Sequence, residues 1–221
     1  MPKEFVKMLK IYGFPVSIPS NRVRFVVNKL GLDYQYVPVN LLAGEHMTEE
    51  FLKLNPIGKV PVMDEDGFTL FESNAISKYL SRKHNSSLYP EDIVQRANVD
   101  KWIDFASIHV GSAVTKVFFN RVLAPLVNVE VDERSIKDGL SFLDRFLPLV
   151  DNQLKENEYL AGSELTLADL NLLANLDPAE VAQVDLSPYE NIVKWRENLQ
   201  KEDFYTKCHK NYGEALQSVA A

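Results

Sequence analysis

Asn55-Pro56-Ile57-Gly58-Lys59-Val60-Pro61-Val62, followed by Phe71-Glu72-Ser73-Asn74-Ala75-Ile76, is the stretch around which the rest of the chain is organised. It sets a glycine and a proline at the entry to a short apolar strand, and it closes the next strand with an acid and a hydroxyl that open a helix. A residue before proline is held extended, so the backbone of Val60 suits pairing with an extended ligand lying along a sheet edge. If Val60-Pro61 is cis, those backbone groups turn outward to meet it. Ser73, at a helix start, offers a hydroxyl and free N–H groups to a carboxylate, and Glu72 can take a neighbouring ammonium. Together they form a wall for a ligand with a carboxylate and an amine at one end and a peptide backbone in the middle.

Upstream, strand and helix alternate. Met8, Leu9, Ile11 and Tyr12 make a strand ended by Gly13 and Pro15. Val23, Val26, Val27 and Leu30 recur at helical spacing, with Pro19 near the start and Gly31 past the end. Tyr34 to Val39 form a second strand, parallel to the first because a helix-long crossover joins them. Thr48 is expected to cap a short helix through Leu54. Val60–Met63 and Thr69–Phe71 flank Asp64-Glu65-Asp66-Gly67, a hairpin signal. The unit closes with a helix over Ser73–Lys83, Ala75, Ile76, Tyr79 and Leu80 inward. The order is βαβ, a connecting helix, then ββα: a thioredoxin-like α/β domain over residues 1–84 with a mixed four-stranded sheet.

Residues 85–91, with Asn85-Ser86-Ser87 and Pro90, read as a linker. From 92 to 221 the periodicity is helical only, which predicts an all-α bundle. Ile136, Leu140, Leu143, Phe146, Leu147, Val150 and Leu154 form one apolar stripe, expected to bend at Pro148. Thr166 with Asp169 reads as a capping box, and Ser187-Pro188-Tyr189-Glu190 repeats that logic with proline at the first helical position.

Composition narrows the function. A chain of 221 residues, 46% hydrophobic and 25% charged, is an ordinary globular protein of one or two domains. Its formal charge of −7 argues against nucleic acid, and no run approaches a membrane span. Cys208 is the single cysteine, which suits a reducing compartment, and Met1 to Phe5 show no signal-peptide core, so the cytoplasm is expected. With no cysteine before residue 208, thiol–disulfide exchange through an active-site cysteine is excluded. His46, His84, His109 and His209 lack paired spacing, so no metal is expected.

Gly44-Glu45-His46, Leu54 to Pro61, Leu70 to Ile76 and Leu160-Ala161-Gly162-x-x-x-Thr166-x-Ala168-Asp169, in this order and spacing, resemble the cytosolic glutathione transferases of the serine type, which include the theta and phi classes. The resemblance runs from about residue 8 to about residue 205. It implies glutathione as cosubstrate, a homodimer, and conjugation of the thiolate to small apolar electrophiles, with reduction of organic hydroperoxides as a related activity. It also implies Ser17, in Tyr12-Gly13-Phe14-Pro15-Val16-Ser17, as the hydroxyl on the glutathione sulfur, with Ser20 the competitor. His46 and Lys59 are implied at the glycyl carboxylate, Val60 at the peptide backbone, and Glu72 and Ser73 at the γ-glutamyl end. An apolar electrophile pocket between the domains is expected from Phe14, Ile108, Phe118 and Phe119. Met47 and Asn74 depart from basic residues frequent in phi-like sequences, and Lys59 in place of glutamine leans toward theta. The alternative is a non-catalytic interaction domain of the same fold, resembling the gamma subunit of elongation factor one.

Overall fold

The computed structural model describes residues 8–220; Met1 to Phe5, read above for a signal peptide, lie outside them. Four strands, β1 (Leu9–Gly13), β2 (Tyr34–Pro38), β3 (Val62–Glu65) and β4 (Phe68–Phe71), form one sheet in the order β2-β1-β3-β4. The β1–β2 pair is parallel, Leu9 against Tyr34, and β3 runs antiparallel to both β1 and β4. The hairpin turn is tighter than the sequence suggests. Asp64 and Glu65 belong to β3, and only Asp66 and Gly67, both left-handed (φ 54° and 88°), make the turn.

Helix α1 (Ile18–Lys29) supplies the parallel crossover and sits between two cores. Val23 and Val27 pack with Leu9, Ile11, Met63, Ile76 and Leu80 against the sheet. Phe25 and Val26 face the other way, into a cluster continuous with the helical half of the chain. Helix α2 (Glu49–Leu54) is capped by Thr48, whose hydroxyl accepts from the Phe51 N–H. Helix α3 (Ser73–Lys83) has the expected bounds, but its buried face is Ser73, Ile76, Ser77, Leu80 and Ser81, while Ala75 is exposed.

Residues 85–91 cross to the helical half in contact with it. Leu88 and Tyr89 are buried, and the Leu88 carbonyl accepts from the Leu167 N–H at 2.9 Å. Helix α4 (Ile93–Asp104) continues without a break through a π-helical segment (Phe105–Gly111), α5 (Ser112–Phe118), a second π segment (Phe119–Leu123) and α6 (Ala124–Leu126). Helix α7 (Glu133–Glu156) carries Pro148 within its span and buries Ile136, Leu143, Leu147, Val150 and Leu154. Helix α8 (Leu167–Leu176) is buried along its whole length and opens on the Thr166–Asp169 capping box.

Helix α9 (Glu190–Leu199) begins three residues after Ser187, which is not its cap. The capping acceptor comes from α7 instead: Asp151 Oδ1 takes the N–H groups of Asn191 and Ile192 at 2.9 and 3.0 Å. Helices α10 (Asp203–Thr206) and α11 (Tyr212–Ala220) complete the chain. Arg24 and Asn28 of α1 donate to the carbonyls of Cys208 and Phe204, so the C-terminal segment is tied onto the α/β domain.

Candidate functional site

The loop between β1 and α1 is held from three sides. Asn21 Nδ2 donates to the Pro15 carbonyl at 2.8 Å, the Ser17 N–H to the Phe14 carbonyl at 2.9 Å, and the Tyr212 hydroxyl of α11 to the Val16 carbonyl. Ser17 is the N-cap of α1, extended at φ −87° and ψ 111°, and its oxygen accepts from the Ser20 N–H at 3.3 Å. Its own hydroxyl proton remains available, and the side chain is half-buried. Ser20 differs: it is 0% exposed, and its oxygen accepts from the Phe14 N–H at 3.3 Å between β1 and α1. Ser17 thus caps α1, and Ser20, the competing hydroxyl, is fully buried between β1 and α1.

The second loop is organised by the buried Asn55. Its amide donates to the Lys59 carbonyl at 2.7 Å, and its side-chain oxygen accepts from the Ile57 N–H. Gly58 sits at φ +60°, where a Cβ would lie 2.8 Å from Met47 Sδ and 3.2 Å from the His46 carbonyl. Glycine is required there by both backbone and space, and its absence of a side chain lets the turn carrying His46 pack against the start of β3. Val60-Pro61 is cis. Among the described residues neither the N–H nor the C=O of Val60 has a hydrogen-bond partner.

Lys59, Val60, Glu72 and Ser73 line one cavity of about 310 Å³, together with Pro19, Arg22, Asn55 and Ser107. Glu72 is exposed and holds φ 72°, a strained backbone for a non-glycine residue. Ser73 is buried beneath it. Neither His46 nor Ser17 is on its wall: the His46 carbonyl lies against Gly58, next to Lys59, and Ser17 caps the helix whose Pro19 lines the cavity. A second cavity of about 380 Å³ shares Pro19, Arg22 and Ser107 and extends between α1 and the long helix, past Ile18, Gly111, Ser112, Thr115 and Asn175.

The four apolar residues expected around an electrophile do not gather. Phe118 is 3% exposed and packs edge-on against Tyr212 at 5.5 Å, within the core. Phe14 lines a separate cleft with Pro38, Glu45 and Val219. Ile108 (61% exposed) and Phe119 (40%) fall on the same exposed face of the long helix as Ser112 and Thr115. Phe118 falls on the buried side of the long helix with Val110, Val114 and Val117, and Phe119 turns outward.

Sequence reasoning missed the polar network under the wall. Arg22 donates to Ser73 Oγ (2.8 Å) and to Asn175 Oδ1 (3.1 Å). Asn175 donates to Asn171 Oδ1 (2.8 Å), and Asn171 to Asn74 Oδ1 (2.7 Å). Asn74 donates to Ser107 Oγ at 3.0 Å. The available signal was Asn171 and Asn175, four apart in a helix that is apolar after Asp169 apart from them, where unpaired amides would be costly. Asn74, where phi-like sequences frequently have a basic residue, is turned into this intrachain network. Among the described residues no group of three or more His, Cys, Asp or Glu is placed to hold a metal ion.

Residues 7–82 match the family model for the glutathione S-transferase N-terminal domain, and residues 113–203 that for the C-terminal domain. The chain is 36% identical over 166 residues to glutathione S-transferase 3 of Zea mays, covering 74% of each sequence. The structure of glutathione transferase F7 from Populus trichocarpa superposes with a TM-score of 0.85 at 30% identity, covering 95% of this chain and 99% of that one. A glutathione S-transferase I bound with lactoylglutathione superposes at 0.81 and 29% identity, over 96% and 98%. The chain therefore belongs to the glutathione S-transferase family, with a thioredoxin-like N-terminal domain and an all-helical C-terminal domain.

Proposed function

We propose that this chain transfers the thiolate of glutathione to small electrophiles, with Ser17 as the catalytic hydroxyl. The observation that carries this reading is the single cavity in which Lys59, the unpaired backbone of Val60, Glu72 and Ser73 meet. Its parts fit one ligand in order. Lys59, with His46 close behind, suits the glycyl carboxylate, Val60 the peptide backbone, Glu72 the ammonium and Ser73 the α-carboxylate of the γ-glutamyl end. Lactoylglutathione, held by the similar enzyme named above, is a ligand of this chemistry.

Ser17 can donate its proton to the sulfur while its oxygen caps α1. The adjoining cavity past Ile18 and Thr115 suits the electrophile, with Ile108 and Phe119 extending its apolar face; Phe14 and Phe118 are not part of it. The hydroxyls of Ser112 and Thr115 also suit an oxygen-rich partner, which supports reduction of organic hydroperoxides beside conjugation. The named relatives are transferases, which favours an enzyme over an interaction domain. Exposed Ile93 and Val94 at the start of α4 and Phe68 on β4 are apolar surface that a homodimer would cover, to be read by sedimentation. A lone thiol suits the cytoplasm.

Calorimetry with glutathione and turnover of a halogenated nitroarene test the assignment. Saturable binding with turnover is expected. Absence of both across a panel of electrophiles overturns it.

A further inference from the structure

Arg22 lies one turn into α1, is 7% exposed, and reaches both cavities. Its two bonded acceptors, Ser73 Oγ and Asn175 Oδ1, are neutral, and its buried Nε has no partner among the described residues. No ion pair to Arg22 forms among those residues. Burial pulls its pKa down to about 10, still well above neutrality, and Glu72 acts on it only through its field. A buried cation without a paired anion is costly in the empty protein, and the cost is relieved when a ligand brings the anion.

The surroundings keep the fork in place for this purpose. Asn175 is fixed by donating to the Ala106 carbonyl and to Asn171. Gly111 admits it, since a Cβ there would lie 2.6 Å from Asn175 Oδ1. The Ser73 side chain has one hydrogen bond among the described residues, the one from Arg22 to its oxygen.

We propose that Arg22 is a positioning residue for the anionic end of the ligand. It supplies the positive charge beneath the wall, and by donating to the Ser73 oxygen it leaves the Ser73 hydroxyl proton to point outward at the α-carboxylate of the γ-glutamyl group. Helix α3 adds its free N-terminal N–H groups on the same side. The assignment rests on the glutathione reading of the wall.

The test compares glutathione with 4-aminobutyryl-cysteinyl-glycine, which lacks that carboxylate, by calorimetry on wild type and Arg22→Met. Wild type should prefer glutathione by about ten- to a hundredfold, the span of one charge-assisted contact. In Arg22→Met the preference should fall to near one while binding of the analogue holds, an outcome that general loss of structure would not produce. Arg22→Lys, which keeps the charge without the fork, should retain part of the preference. If Arg22→Met does not fold, the neutral Arg22→Gln carries the same expectation. A preference undiminished in either neutral variant overturns the role of Arg22. Wild type that binds neither ligand overturns the wall itself, and this assignment with it.

Discussion

Replacing Ser17 by alanine separates two jobs that one oxygen and one proton perform. As N-cap, the oxygen takes the Ser20 N–H at 3.3 Å, a long bond, so its loss should cost about 0.5–1 kcal/mol, or roughly 1–4 °C in melting temperature for a chain of this size. As catalytic donor, the hydroxyl offers a hydrogen bond to the sulfur only once the thiol has ionised. A bond to a charged group is worth about 1.5–3 kcal/mol, which corresponds to lowering a thiol pKa from about 8.5 by about one to two. The helix start adds little. Pro19 has no N–H, Ser20 donates to Ser17 Oγ and Asn21 to the Ser17 carbonyl, which leaves only the Ile18 N–H free among the described residues. The hydroxyl should therefore carry most of the effect. Ser17→Ala is expected to raise the thiol pKa of bound glutathione by about one to two and to cut turnover about ten- to a hundredfold, with affinity little changed. The assay is titration of the thiolate absorbance on the complex, beside a melting curve. Ser20→Ala is the control: it strands the buried Phe14 N–H, so it should destabilise without moving the titration. If Ser17→Ala ionises bound glutathione as wild type does, while Ser20→Ala does not, the catalytic assignment is wrong.

Four further outcomes follow from individual residues. Glu72→Gly removes a left-handed backbone penalty of about 1 kcal/mol, so the melting temperature should rise while glutathione affinity falls by about one to two powers of ten; unchanged affinity by calorimetry would move the ligand off this wall. Asp169→Ala strands the buried N–H groups of Leu160 and Thr166, at roughly 1–3 kcal/mol each, with glutathione affinity preserved in the folded variant. Burial holds the Asp169 carboxyl at about 6, above its ordinary 3.8. Between about pH 4 and 6 the folded chain keeps a proton that the unfolded chain has lost, so this group's contribution to stability declines as pH rises through that window and is level above it; urea unfolding across pH 4–7 should show the slope in wild type and not in Asp169→Ala. Burial pushes the thiol of the half-buried Cys208 up to about 12, so iodoacetamide should modify it only slowly at neutral pH and Cys208→Ser should turn over normally; rapid alkylation of the folded protein would contradict the raised pKa.

What the sequence alone determined is local or periodic. The Thr48 cap, the Thr166–Asp169 box, the span of α3 and the order of strands and helices depend on residues within a few positions of each other. Neighbouring residues encode such bonds whatever packs around them. The turn at Gly58 and the wall residues were legible for the same reason, since an X-Pro pair and a strand-to-helix junction constrain their own backbone. Tertiary structure decided the rest. Asp151 caps α9 from 40 residues away, and Arg22 meets Ser73 across 51 positions and Asn175 across 153. Each outcome depends on the distance and rotation at which one element packs on another, and no local pattern fixes those quantities. Ser17 and Ser20 show the boundary most closely. Both stand at the start of one helix in the sequence, and only the approach of β1 encloses Ser20 while Ser17 stays half-buried.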